Sequence, residues 1–220
     1  MERELEQMRE SLRQANLMID LLCNIINFRS GESGTFITHT RTITELLLTE
    51  LARRTDRYGL TRADIERIGM ASAIHDVGKT AVASEILNKP GKLKPEEYSV
   101  MKEHAMIGAN MVRELPFPME EPLIKTAYEI CRWHHERYDG SGYPDGLKGE
   151  EIPISAQAVA LADVYDALTG ERIYKKAYPH AEAVRMLVNG EAGAFNPLLL
   201  ESLDAIAPQL AGALRVDAME

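Results

Sequence analysis

Apolar residues along this chain return every three or four positions, and almost nowhere every second one for long enough to make a strand. That spacing belongs to helices, which bring one residue per turn onto a buried face. The first series is Leu5, Met8, Leu12, Ala15, Ile19, Leu22 and Ile26, stepping alternately by three and four, with mainly polar residues between them in its first half. It predicts one long helix, either packed on its own domain or paired with a second copy as a parallel coiled coil. The expected division is a linker helix over 1–27 and one domain over 28–220. After Gly31 to Gly34, a second helix is expected over about 36–55, carrying Ile43, Leu46, Leu47, Leu48 and Leu51.

Thr61-Arg62-Ala63-Asp64 resembles a capped helix start. That helix should run through Ile65, Ile68 and Ala71 to His75-Asp76 and stop at Gly78. Residues 80–94 look irregular, with Asn88-Lys89-Pro90-Gly91 as a turn. Pro95, with Glu96 and Glu97 behind it, suits the first turn of a helix that carries His104 near its middle. A helix over about 120–136 ends at His134-His135, because the Asp139-Gly140-Ser141-Gly142-Tyr143-Pro144 run cannot continue it. A turn-rich loop over 138–153 follows, then a helix over 155–169 with Asp163 and Asp166, and shorter helices over 180–189 and 197–206. The expected class is all-α.

Composition narrows the partners. Of 220 residues, 45% are apolar and 27% charged, enough core for one domain and too little polarity for disorder. A formal charge of −9 opposes binding of long nucleic acid through counterion release. It leaves room for a small phosphorylated ligand, because a metal cluster reverses the local field. No apolar run is long enough to cross a bilayer, and no secretory leader is evident. Cys23 and Cys131 are far apart and lack metal-ligand spacing, so a reduced, cytoplasmic protein is expected.

The chemistry-bearing residues are His75, Asp76, His104, His134, His135 and Asp163, which include four of the six histidines. Singly, a helical histidine is usually packed or solvated, and Asp163 amid alanines could be a buried carboxylate satisfied by backbone donors. His180, after Pro179, reads as a helix-start residue. Together the six suggest a divalent metal site, since imidazole and carboxylate suit iron, manganese or zinc and a carboxylate can bridge two ions. A metal pair activates water and clamps a phosphoryl oxygen, as hydrolysis of an anionic ester requires. Lys79 could be helix-end charge or a cation aimed at a phosphate, and Arg172 with Lys175 could be solvated surface or a second clamp. Gly78-Lys79-Thr80 is not a P-loop, because its glycine-rich lead-in is missing.

These residues resemble the HD-GYP domains, a branch of the HD-domain metal-dependent phosphohydrolases. The matching stretches are His75 to Lys79, Ile86 to Leu93, Glu97, His104 to Gly108, His134 to Pro144, and Ala162 to Thr169 with Arg172, Tyr174 and Lys175. The similarity spans roughly residues 28 to 200. The resemblance implies an all-α HD bundle around two or three divalent ions, usually iron or manganese, and hydrolysis of cyclic di-GMP to pGpG or GMP. It assigns metal ligation to His75, Asp76, His104, His134, His135 and Asp163, with Glu32 available as a further ligand. Lys79 would meet the substrate phosphate close to the metals, and Arg172 and Lys175 the other phosphate. The loop carrying Asp139, Gly140, Gly142, Tyr143 and Pro144 would shape the site and meet a diguanylate cyclase-type partner. A homodimer is also expected.

The chain departs from the family pattern at Phe36, where a histidine is usual and where phenylalanine has no lone pair to give. The loss falls on the position built from His75, Asp76 and Asp163, and spares the one built from Asp76, His104, His134 and His135. His39, one helical turn on, is expected on the helix surface. Ala83-Ser84 and Gln157 also differ from the common Pro-Asp and arginine. Two readings follow: a working phosphodiesterase, or a degenerate domain that binds cyclic di-GMP or a partner protein without turnover. A different phosphorylated substrate is a third.

Overall fold

Thr40, Ile43, Thr44, Leu47, Leu48 and Leu51 share one face of the first continuous helix, α1 (Thr35–Arg54), and all are buried. Their spacing is the broad apolar stripe that seats a helix against a core. A computed structural model describes residues 35–170 and 177–214, with side chains from Thr38 onward, and five earlier helical positions, Glu6, Gln7, Glu10, Gln14 and Leu17. The seam residues expected of a coiled coil lie outside the described residues. Among the described residues every regular element is helical, as the hydrophobic period implies.

After α1 come α2 (Arg62–Ser72), a 3-10 turn (Val77–Ala81), a short α3 (Ser84–Leu87), α4 (Pro95–Arg113) and α5 (Pro122–Trp133). A second 3-10 turn (Gly149–Glu151) precedes α6 (Ile154–Thr169), α7 (His180–Val188) and α8 (Pro197–Ala213). Helix α6 is the central strut: 11 of its 16 residues are buried, including the unbroken run Ser155 to Ala162. A helix apolar on most sides must be covered on most sides, and α1, α5 and α7 pack around it. Helix α4 lies against α5 and against the 3-10 turn, which brings the metal-type residues to one end of the bundle.

Caps set several boundaries. Thr61 accepts from the Asp64 amide and Asp64 accepts from the Thr61 amide, closing a capping box at the start of α2. The Asp64 carboxyl is held down to about 2 by the Thr61 side chain first, then the Thr61 backbone and Arg67. Its folded value lies below the ordinary aspartate value of about 3.9. This contribution is therefore present above about pH 4 and fades as pH falls toward 2. Thr61→Ala should cost about 1 kcal/mol. In a thermal melt at neutral pH that appears as a midpoint lower by about 2–4 °C, and an unchanged midpoint would contradict the cap.

Several boundaries differ from the sequence reading: α5 stops at Trp133 rather than about 136, and the stretch 80–94, expected to be irregular, holds the short helix α3 (Ser84–Leu87). Helix α2 stops at Ser72 rather than at His75-Asp76. The amides of Ala73, Ile74 and His75 bond three residues back, to Met70, Ala71 and Ser72, and this tightening swings His75 and Asp76 off the helix face. Helix α8 runs seven residues past the expected 206, through Pro208, because the stripe Leu199, Leu203, Ile206 and Leu210 stays buried across it. Gln157 is buried in packing: its amide donates to the Ile152 carbonyl at 2.7 Å and its oxygen accepts from Asn196 at 2.8 Å.

Candidate metal centre

Four elements converge at the end of the bundle. The turn after α2 brings His75 and Asp76, α4 brings His104, the end of α5 brings His134 and His135, and α6 brings Asp163. Ligand atoms of Asp76, His104, His134 and His135 all lie within 4.8 Å of one another. His104 Nε2 is 3.3 Å from His134 Nε2 and 3.2 Å from His135 Nε2.

The backbone decides how these rings present themselves. His104 Nδ1 donates to the Met101 carbonyl at 2.6 Å, and His134 Nδ1 to those of Ile130 and Cys131 at 2.9 and 3.1 Å. His75 Nδ1 donates to the Ser72 carbonyl at 2.8 Å. A carbonyl oxygen only accepts, so each of these Nδ1 atoms carries a proton, and Nε2 is the nitrogen each ring has left to turn toward a metal ion. Burial first, then the neighbouring imidazoles, pushes His134 and His135 well below the usual histidine range, which keeps both neutral.

Asp76 divides its oxygens between two groups. Oδ1 lies 3.3 Å from His104 Nε2 and 3.7 Å from His134 Nε2, while Oδ2 lies 3.2 Å from His75 Nε2 and 2.6 Å from Lys79 Nζ. Oδ1 is buried without a hydrogen-bond partner of good geometry. Neutral nitrogens facing one another and a buried carboxylate oxygen left over are costly unless something positive lies between them. The donor set therefore fits a divalent cation. His75 Nε2 is also 3.9 Å from Asp163 Oδ1. Burial works against charge on that ring, but Asp76 and then Asp163 override it and lift His75 to about 9, so the field there favours a cation too.

The loop after the twin histidines is folded by a residue that sequence reasoning did not single out. Glu136 is buried, and its Oε1 accepts from the Asp145 and Gly146 amides at 2.8 and 3.0 Å. Asp145 accepts from Arg132 at 2.8 and 3.0 Å and from the Trp133 indole at 2.7 Å, tying the loop to the last turn of α5. Gly142 presses on the same backbone, where a Cβ would sit 2.4 Å from the Arg137 nitrogen. The fold-back lays Tyr143 on His135, with centroids 4.7 Å apart and planes 26° apart. A glutamate beside a glycine-rich loop, whose amides need an acceptor, was the available signal.

Asp139 is exposed and accepts from Ser141 within its own turn, beside Gly140, and the Tyr143–Pro144 bond is cis. These residues shape the loop. His39 is a correction: it is not on the outer surface of α1 but reaches inward to Asp166, Nδ1 to Oδ1 at 2.9 Å. His180 Nδ1 lies 2.6 Å from the Tyr165 hydroxyl, away from the cluster. Glu32, Arg172, Lys175 and the Phe36 side chain lie outside the described residues.

With this geometry in place, comparison with known proteins is informative. The sequence profile of the HD domain matches residues 17–198. A Vibrio cholerae protein named cyclic di-GMP phosphodiesterase is 40% identical over 181 residues, covering 81% of this chain and 37% of its own length. A second from the same organism, 3'3'-cGAMP-specific phosphodiesterase 2, is 36% identical over 198 residues, covering 86% of this chain and 36% of its own. The chain thus spans well under half the length of these relatives. A crystal structure of a V. cholerae cyclic GMP-AMP phosphodiesterase aligns with a TM-score of 0.65 at 17% identity, covering 91% of this chain and 50% of that one, which supports the fold.

Proposed function

Because this chain belongs to the HD-domain family, in its HD-GYP branch, we propose that it hydrolyses cyclic di-GMP to pGpG or GMP at a centre of divalent metal ions. The observation that carries the reading is the cluster of Asp76, His104, His134 and His135, with its Nε2 lone pairs and the Asp76 Oδ1 turned toward one point. Iron, manganese and zinc all suit this set of nitrogen and oxygen donors, and the family resemblance favours iron or manganese.

A divalent ion bound there supplies charge to draw on a phosphodiester oxygen and to make water a better nucleophile. The chain's own residues do the rest. His104, His134 and His135 would hold an ion at the first position, Asp76 would serve both positions, and His75, Asp163 and Glu32 would hold the second, with no ligand from Phe36. Lys79, whose ammonium lies at Asp76 Oδ2, would meet the substrate phosphate close to the metals. Arg172 and Lys175 hold the other phosphate. Tyr143 covers one side of the His135 ring. The reading extends to a homodimer through the leading helix and to a diguanylate cyclase-type partner at the Tyr143-Pro144 loop.

The test is a product assay on protein reloaded anaerobically with Fe(II) or Mn(II) and given cyclic di-GMP. Metal-dependent pGpG or GMP is expected. A His134→Ala/His135→Ala variant should be slower by about 10³-fold or more, since even outer partners of a ligand are worth 10–100-fold. Binding without product would instead make the chain a receptor and overturn the proposal.

A further inference from the structure

A cation stands between two tyrosine rings at the edge of the metal centre. Lys102 Nζ lies 5.4 Å from the Tyr98 ring centroid and 5.7 Å from that of Tyr143. Tyr143 stacks on His135, whose Nε2 is 3.2 Å from His104 Nε2. A continuous path of contacts thus leads from the clustered nitrogens to Tyr98, which is 49% exposed despite its size. Tyr98 and Lys102 are four residues apart on α4 and share a face. Among the described residues no carboxylate pairs with Lys102, in contrast to Lys79 and Lys89, which meet Asp76 and Glu97.

An exposed aromatic face is a platform on which a nucleobase stacks. An ammonium held at the edge of that platform by two π faces can donate but cannot accept. The base edge that suits it has two acceptors side by side, as guanine has at O6 and N7, whereas adenine replaces O6 with an amino donor. We propose that Tyr98 and Lys102 form a guanine subsite: Tyr98 stacks one base of the cyclic dinucleotide and Lys102 reads its O6/N7 edge. The inference rests on the proposed substrate class and adds the residues that select guanine over adenine within it. Lys102 is then a specificity residue, outside the metal chemistry.

The experiment compares Lys102→Met and Tyr98→Ala with the parent protein on three substrates: cyclic di-GMP, cyclic di-AMP and the base-free ester bis(4-nitrophenyl) phosphate. Tyr98→Ala should raise KM for both dinucleotides by about tenfold, the scale of one lost stacking contact. Lys102→Met should raise KM for cyclic di-GMP by about tenfold and leave cyclic di-AMP unchanged, reducing the preference between them. Both variants should keep the parent's metal content and its rate on the base-free ester. A fall in that rate or in metal content would make Lys102 a brace for Tyr143 and overturn the subsite. Unchanged KM values in both variants would overturn it too, with the phosphodiesterase reading intact. Parent protein that cleaves the base-free ester but no cyclic dinucleotide would overturn both readings.

Discussion

Asp76→Ala is expected to empty both metal positions, taking metal content after reloading to background and hydrolysis down by about 10³-fold or more. The reason is that its two oxygens serve two groups: Oδ1 faces His104 and His134, and Oδ2 faces His75. Three neutral imidazoles alone bind a divalent ion far less well than three with a carboxylate. Burial disfavours the Asp76 charge, yet Lys79, His75 and His104 hold its carboxyl well below the usual range, so the anion is present at any working pH. Asp76→Asn keeps the volume and one oxygen and should retain a little metal, which separates lost charge from a collapsed pocket. Full metal content in the alanine variant, by elemental analysis of folded protein, would end the bridging assignment.

Local features of this fold could be read before any coordinates, and long-range ones could not. The inward stripe of α1, the Thr61 box and the proline start of α4 depend on residues within two turns of one another. The same holds, to within about one turn, for the end of α5 at Trp133, ahead of the Asp139 to Pro144 run. The ligand types were legible for a different reason: a His-Asp pair and a His-His pair in one chain are together the ligand chemistry of a divalent ion. Their assembly at one point was an expectation from the combination of residue types and then from resemblance, because it depends on how four separate elements pack. His39 was misplaced on the helix surface because its partner, Asp166, is 127 residues away. Nothing in the spacing of α1 announces that its polar edge will meet a buried carboxylate on α6. Glu136 escaped because its role is to satisfy backbone amides, which carry no sequence identity.

The second large effect lies where fold and site are the same contact. Gly78 should not tolerate a methyl group: a Cβ there would stand 2.0 Å from the His104 carbonyl oxygen and 2.6 Å from the Gly108 nitrogen. Both atoms are backbone, within the regular ladder of α4, so neither can swing aside as a long side chain would. Overpacking usually costs 1–3 kcal/mol, and with no soft neighbour the upper end, about 3 kcal/mol, is expected for Gly78→Ala. For a chain of this size that lowers the melting midpoint by about 6–12 °C. Gly212→Ala is the control, since a Cβ there meets nothing within 4 Å and alanine favours the end of α8. The chain has one way to relieve the clash, which is to move the turn away from α4. Asp76 sits two residues before Gly78 and His104 supplies the clashing carbonyl, so that movement opens the 3.3 Å approach of Asp76 Oδ1 to His104 Nε2. Metal affinity should therefore fall with stability, by about tenfold or more, although no ligand has been changed. A melting midpoint lowered with metal affinity intact would mean that the turn yields elsewhere and that Asp76 is held by His75 and Lys79 alone.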